Sequence, residues 1–219
     1  MPVTERLPHL LVSGQFQTEK YTALPTGGGD HLLPPRDRAT HGTTLRQQLD
    51  QVRQQNEQSR GITSDPDNPA RIIIEVRSEP NFELSLESLE PRRQGVELAC
   101  VREENGQRIA VIHVPEGKLA YFVKRVEQYL SDDLESGRPK NQPLFDRIAE
   151  IRLATLRSFW TDEGNTFPPE DLPIWWEVWL RAESDQSPWS RFRLLAQAAG
   201  IMAKEETIRF PDRLVGLCH

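Results

Sequence analysis

Cysteine is nearly missing from this chain of 219 residues: Cys100 and Cys218 are the only two. They lie far apart and outside any Cys-x-x-Cys spacing. That excludes a disulfide framework and points to a reducing compartment. No apolar run approaches the ~18 residues that a membrane span requires. The opening MPVTERLPHLLVSGQ carries an acidic residue and only a short apolar patch, unlike a secretory signal. Lys and Arg number 27 against 33 Asp and Glu, a formal charge of -6, and no basic stripe concentrates the cations. Binding organised by phosphate neutralisation is therefore not expected. Together these absences lead to the expectation of a cytoplasmic protein that binds neither membrane nor nucleic acid.

Signatures of catalysis are also absent. The stretch ATHGTT, Ala39 to Thr44, has the look of the histidine loop of a subtilisin-type protease. Such an enzyme also needs a serine in a glycine-rich turn and an aspartate that orients the imidazole. No serine lies in a Gly-x-Ser-x-Gly or Gly-Thr-Ser context: Ser13 precedes a glycine in a turn-rich arm, and Ser136 lies in a charged loop. Asp37, four residues before His41, has the spacing of a helical pair, which serves helix stability as well as it serves chemistry. His9, His31, His113 and His219 lack metal-ligand spacing. The run Gly27-Gly28-Gly29 lacks the Lys-Ser/Thr of a phosphate loop. No catalytic, cofactor-binding or metal-binding residue is assigned, and the chain is not expected to be an enzyme.

What is present reads as a mixed α+β protein. Residues 1–36 form a flexible arm by composition, with Leu10, Leu11, Phe16 and Tyr21 as its apolar anchors. Residues 37–60 read as a helix with a narrow stripe of Leu45, Leu49 and Val52. A linker at 61–70 precedes the β-branched strand RIIIEVR, residues 71–77. A short helix at 84–89 follows. Two strands, 95–104 and 107–114, join at Asn105-Gly106, whose residues tolerate the positive φ of a two-residue turn. That turn sets Glu104 opposite Gln107, Cys100 opposite Val111 and Leu98 opposite His113. One hairpin face then carries Val96, Leu98, Cys100, Ile109, Val111 and His113. The other carries Glu97, Ala99, Val101, Ala110, Ile112 and Val114. A helix from 117 to 131 shows Leu119, Phe122, Val123, Val126 and Leu130 on one side. The segment 71–133 thus reads as a ferredoxin-like βαββα unit without its last strand.

A further helix is expected over 143–160, from Leu144, Ile148, Ile151, Thr155 and Phe159 at helical spacing, within a connecting region 134–173. Ile174 to Leu180 reads as a strand buried on both faces, with Trp175, Trp176 and Trp179 as core groups rather than a binding platform. Ser187-Pro188 opens a helix that Gly200 closes. Strands are expected at 207–210 and 214–217. The order strand, helix, strand, strand recurs, so 174–219 is expected to be a second βαββ unit, truncated before its completing helix and strand.

Several long stretches carry a resemblance. They are LPHLLVSGQ and LPPRDRATHGTTLRQQL in the arm and first helix, LSLESLEPRRQGVELACVREENGQRIAVIHVPEGKLAYFVKRVEQYL, RPKNQPLFDRIAEIRLATLRSFWTD, and PIWWEVWLR. This pattern resembles the N-terminal, non-catalytic region of large bacterial subtilisin-like serine peptidases, commonly encoded beside an AAA-type ATPase. The resemblance implies a prodomain-like or regulatory segment that binds a protease domain, in cis or in trans, to assist its folding or inhibit it. An adaptor that contacts the ATPase or a substrate through the arm and first helix is the alternative. Subtilisin prodomains dock through a sheet face, so the face with Ala99, Val101, Ala110, Ile112 and Val114 becomes the expected partner surface, joined by Phe16 and Tyr21 of the arm.

Overall fold

The computed structural model describes residues 34–63, 72–161, 167–169, 173–181, 188–211 and 213–219. The chain divides into two units, Met1–Leu153 and Ala154–His219. Both are mixed α+β, each built on one antiparallel sheet. No described helix is long and apolar enough to cross a membrane.

The first described element of unit 1 is α1, Arg38–Thr63. Asp37 caps it: its carboxylate accepts from the Thr40 amide at 2.7 Å, satisfying one of the orphan N–H groups of the first turn. Leu45, Leu49 and Val52, no more than 1% exposed, form its buried stripe. The sheet comprises β1 (Ile72–Ser78), β2 (Glu97–Glu104), β3 (Gln107–Val114) and β4 (Ile148–Leu153), in the order β2-β3-β1-β4. A one-turn helix, α2 (Leu86–Leu89), lies between β1 and β2; α3 (Leu119–Ser131) and the short α4 (Gln142–Phe145) lie between β3 and β4. The hairpin turn has φ of 51° at Asn105 and 72° at Gly106, the pair of positive values that its sequence demands.

The expected helix over 143–160 is not there. Gln142–Phe145 makes a single turn, and Ile148–Leu153 pairs antiparallel with β1. The misleading spacing has a physical cause. Val76 lies opposite Ile151 and Ser78 opposite Ile148, with a register shift between Arg77 and Ser78. Ala149 is thus the extra residue of a bulge. The bulge brings Ile148 and Ile151, three apart, onto one sheet face, where both are buried. A helix would show the same periodicity.

A second bulge corrects the hairpin register. Cys100 faces Val111 as expected, but Leu98 faces Ile112 and Glu97 faces His113, because the register shifts between Leu98 and Cys100. The core lies on one side of the sheet. Ile72, Ile74 and Val76 of β1 stand beside Val114, Ile112 and Ala110 of β3. All six belong to the buried cluster with Leu45, Leu49 and Val52 of α1 and Leu119, Phe122 and Val126 of α3. Both long helices therefore cover the same sheet face. They approach closely at Gly42, where a Cβ would fall 2.5 Å from Leu130 Cδ2.

Unit 2 contains β5 (Trp176–Arg181), α5 (Pro188–Ala198), β6 (Ala203–Arg209) and β7 (Arg213–Cys218), with sheet order β5-β7-β6. Gly200, at φ 75°, follows the helix as its left-handed cap. The indole of Trp189 on α5 rests on Gly216 of β7, where a Cβ would meet the ring at 2.3 Å. Its Nε1 donates to the Lys204 carbonyl at 2.8 Å. Trp160, Phe167 and Trp176 form an aromatic cluster with centroids 5.6–5.7 Å apart.

Candidate functional site

His41 has a structural setting. Its ring Nε2 lies 3.0 Å from the Phe145 carbonyl, and its ring meets Tyr129 edge-on at 6.4 Å between centroids. Asp37 does not pair with the imidazole; it caps α1, and its bond from Thr40 holds its carboxyl below the usual range. Beside His41, Tyr129 donates its hydroxyl to Asp146 Oδ1 at 2.5 Å, and Gln142 Nε2 donates to Asp146 Oδ2 at 2.9 Å. Both Tyr129 and Asp146 are buried. The His-Gly pair thus does packing work: His41 ties α1 to α4, and Gly42 lets α1 approach α3. Among the described residues no group of three His, Cys, Asp or Glu side chains could hold a metal ion.

The residues expected on an open sheet face are found elsewhere. Ala110, Ile112 and Val114 are fully buried beneath the chain's own helices. Ala99 is exposed at its bulge and Val101 is half-buried. These positions do not form a free docking face, because α1 and α3 occupy it. Phe16 and Tyr21 lie outside the described residues.

The opposite face of the same sheet carries a charge network that the sequence reasoning passed over. Glu75, fully buried at the centre of β1, accepts from Arg77 Nε at 2.6 Å and faces Arg152 Nη2 at 2.7 Å and Arg102 Nη2 at 3.7 Å. Glu104 bridges Arg102 at 3.1 Å and Arg77 at 3.3 Å, and Glu150 stands 3.8 Å from Arg77. Three carboxylates thus meet three guanidiniums across β2, β1 and β4. A buried charge requires such partners. The available signal was the acidic residue at the middle of the β-branched run IIIEV. Cys100, opposite Val111 beside this network, has its thiol pushed up by burial, which makes it a poor nucleophile.

The largest exposed apolar groups belong to unit 2. Trp176, Val178 and Leu180 lie on the face that α5 covers and are half-buried. On the other face, Trp175 is 46% and Trp179 56% exposed, with Ile208 at 63% and Phe210 at 42%. The core role expected for Trp175 and Trp179 therefore fails, because no described element covers this side. Trp179 stacks on Phe210 at 5.6 Å and donates Nε1 to Glu177 Oε1 at 2.6 Å. Trp175 lies 5.2 Å from the His219 ring, with Lys204 Nζ 4.6 Å above it. The surface is a set of rigid aromatic planes held by neighbours and rimmed with charge. Chemically, such a surface can bind.

No curated protein and no solved structure matches this chain. The family model described as the Y4kK N-terminal domain matches residues 39–155, from the start of α1 to just past β4. That match covers more than half of the chain, and its limits coincide closely with the described elements of unit 1. The chain belongs to the Y4kK N-terminal domain family.

Proposed function

We propose that this chain is a non-catalytic, protein-binding region of a subtilisin-like serine peptidase, working in the cytoplasm on a protease domain in cis or in trans. The observation that carries the binding role is the exposed aromatic face of unit 2: Trp175, Trp179, Ile208 and Phe210. Contiguous apolar surface of this kind marks interaction sites, and Trp and Phe are enriched at interface centres. The peptidase assignment rests on the resemblance of the quoted stretches. The prodomain-like character is supported by strand order. In unit 1, β1 and β2 are parallel with β3 between them, and β3 and β4 are parallel with β1 between them. Two interleaved split βαβ units support a ferredoxin-like reading, in which β4 would be the last strand and α1 would fill the layer that the minimal α2 leaves thin.

The test mixes the full chain with the protease domain of a subtilisin-like peptidase and follows peptide hydrolysis. Dose-dependent inhibition, or faster recovery of activity on refolding, is the expected result, weakened by Trp179→Ala. No inhibition, no assisted refolding and no binding by light scattering would overturn the proposal. In that case an ATPase becomes the next partner to try.

A further inference from the structure

Unit 2 repeats part of unit 1. Its order β5-β7-β6 matches β1-β3-β2, strand for strand. In unit 1 the outer edge of β1 is covered by the antiparallel β4. The corresponding edge of β5 pairs with no described strand. An edge of this kind is a template for another strand.

The sequence of β5 says which strand fits. Around Trp179 the residues read Glu177-Val178-Trp179-Leu180-Arg181. Glutamate and arginine lie symmetrically two places away, valine and leucine one place away. We infer that two copies of this chain pair through β5, antiparallel about a two-fold axis at Trp179, forming the continuous sheet β6-β7-β5-β5-β7-β6. In that register Trp179 meets its own copy, each Glu177 stands opposite the other copy's Arg181, and each Val178 opposite Leu180. Opposite residues in an antiparallel pair share a face. The ion pairs and tryptophans therefore fall on the exposed face, and Val178 and Leu180 extend the apolar face beneath α5. The register shifted by one residue to Val178 sets Glu177 against Trp179 and leaves no ion pair, so charge selects the Trp179 register. A two-fold edge contact is isologous and closes on itself, which removes the exposed edge without growing a fibre. This inference does not depend on the peptidase reading, since it is carried by the open edge of β5 and the order of charges along it.

Sedimentation velocity on the full chain tests it. The wild type is expected to dimerise reversibly. Glu177→Arg and Arg181→Glu each put like charges opposite one another twice, and each is expected to weaken the dimer by at least about tenfold. The double variant restores both pairs and recovers the dimer. Far-UV circular dichroism checks that each variant folds. Independently, Trp179→Cys is expected to form a covalent dimer under mild oxidation, whereas Arg209→Cys on the far strand is not. A wild type that stays monomeric, single variants that remain dimeric, a double variant without recovery, or no cross-link at Trp179→Cys would each overturn the inference.

Discussion

Tyr129→Phe is the sharpest probe of how unit 1 holds together. The phenol is 1% exposed and donates at 2.5 Å to Asp146, itself 2% exposed. Substitution removes one oxygen, opens no large cavity, and leaves Asp146 Oδ1 without that donor in a buried place. A hydrogen bond to a charged group contributes about 1.5–3 kcal/mol. With a urea m-value of about 2 kcal/mol/M, the midpoint should fall by roughly 1 M. All five tryptophans lie between Trp160 and Trp189, in unit 2, so indole fluorescence follows only that unit. Far-UV circular dichroism is the assay for unit 1. The pH dependence supplies a second readout. Burial first, then the bond to Asp146 and its negative charge, pushes the Tyr129 phenol above its ordinary value of 10.0. The folded state thus holds this proton more tightly than the unfolded chain does. The stability it contributes is complete below about pH 10 and is lost as pH rises further. Wild type should lose more stability than Tyr129→Phe above that point. A variant within about 0.5 kcal/mol of wild type, with the same alkaline slope, would refute the argument.

Three further outcomes are expected. Glu75→Gln takes the charge from the centre of the arginine network, and breaking such a buried pair should cost about 3–5 kcal/mol, measured by thermal unfolding. Gly216→Ala places a methyl group inside the Trp189 ring, at 2.3 Å. Overpacking of this kind costs about 1–3 kcal/mol, and a red shift of tryptophan emission should accompany it while unit 1 keeps its stability. Gly106→Val forces a β-branched residue into φ of 72°, and slower refolding with a loss of about 1–3 kcal/mol is expected in denaturant titrations.

Some features were readable from residues alone because they are local. Asn105-Gly106 specifies its turn through backbone sterics. The spacing of Leu119, Phe122 and Val126 specifies a helix and its buried side. Gly200 specifies a helix end. The recurrence of strand, helix, strand, strand was visible for the same reason. The contact of His41 with Phe145 was not foreseeable from spacing.

Other features were decided only by long-range packing. Ile148 and Ile151 carry a helical period, and only pairing with β1 through the Ala149 bulge makes them a strand. Both faces of the β2–β3 hairpin are apolar, so alternation cannot choose which one the helices cover. The choice came from β1, whose Glu75 and Arg77 align with Val111 and Ile109 and mark the side away from α1 and α3. Likewise Trp175 and Trp179 have core-like chemistry, yet α5 covers only the other face of their sheet. Turns and helix stripes follow from the residues alone, because steric and periodic signals act within a few residues. The tertiary structure alone decided register, sheet face and exposure, because these depend on strands brought together from distant parts of the chain.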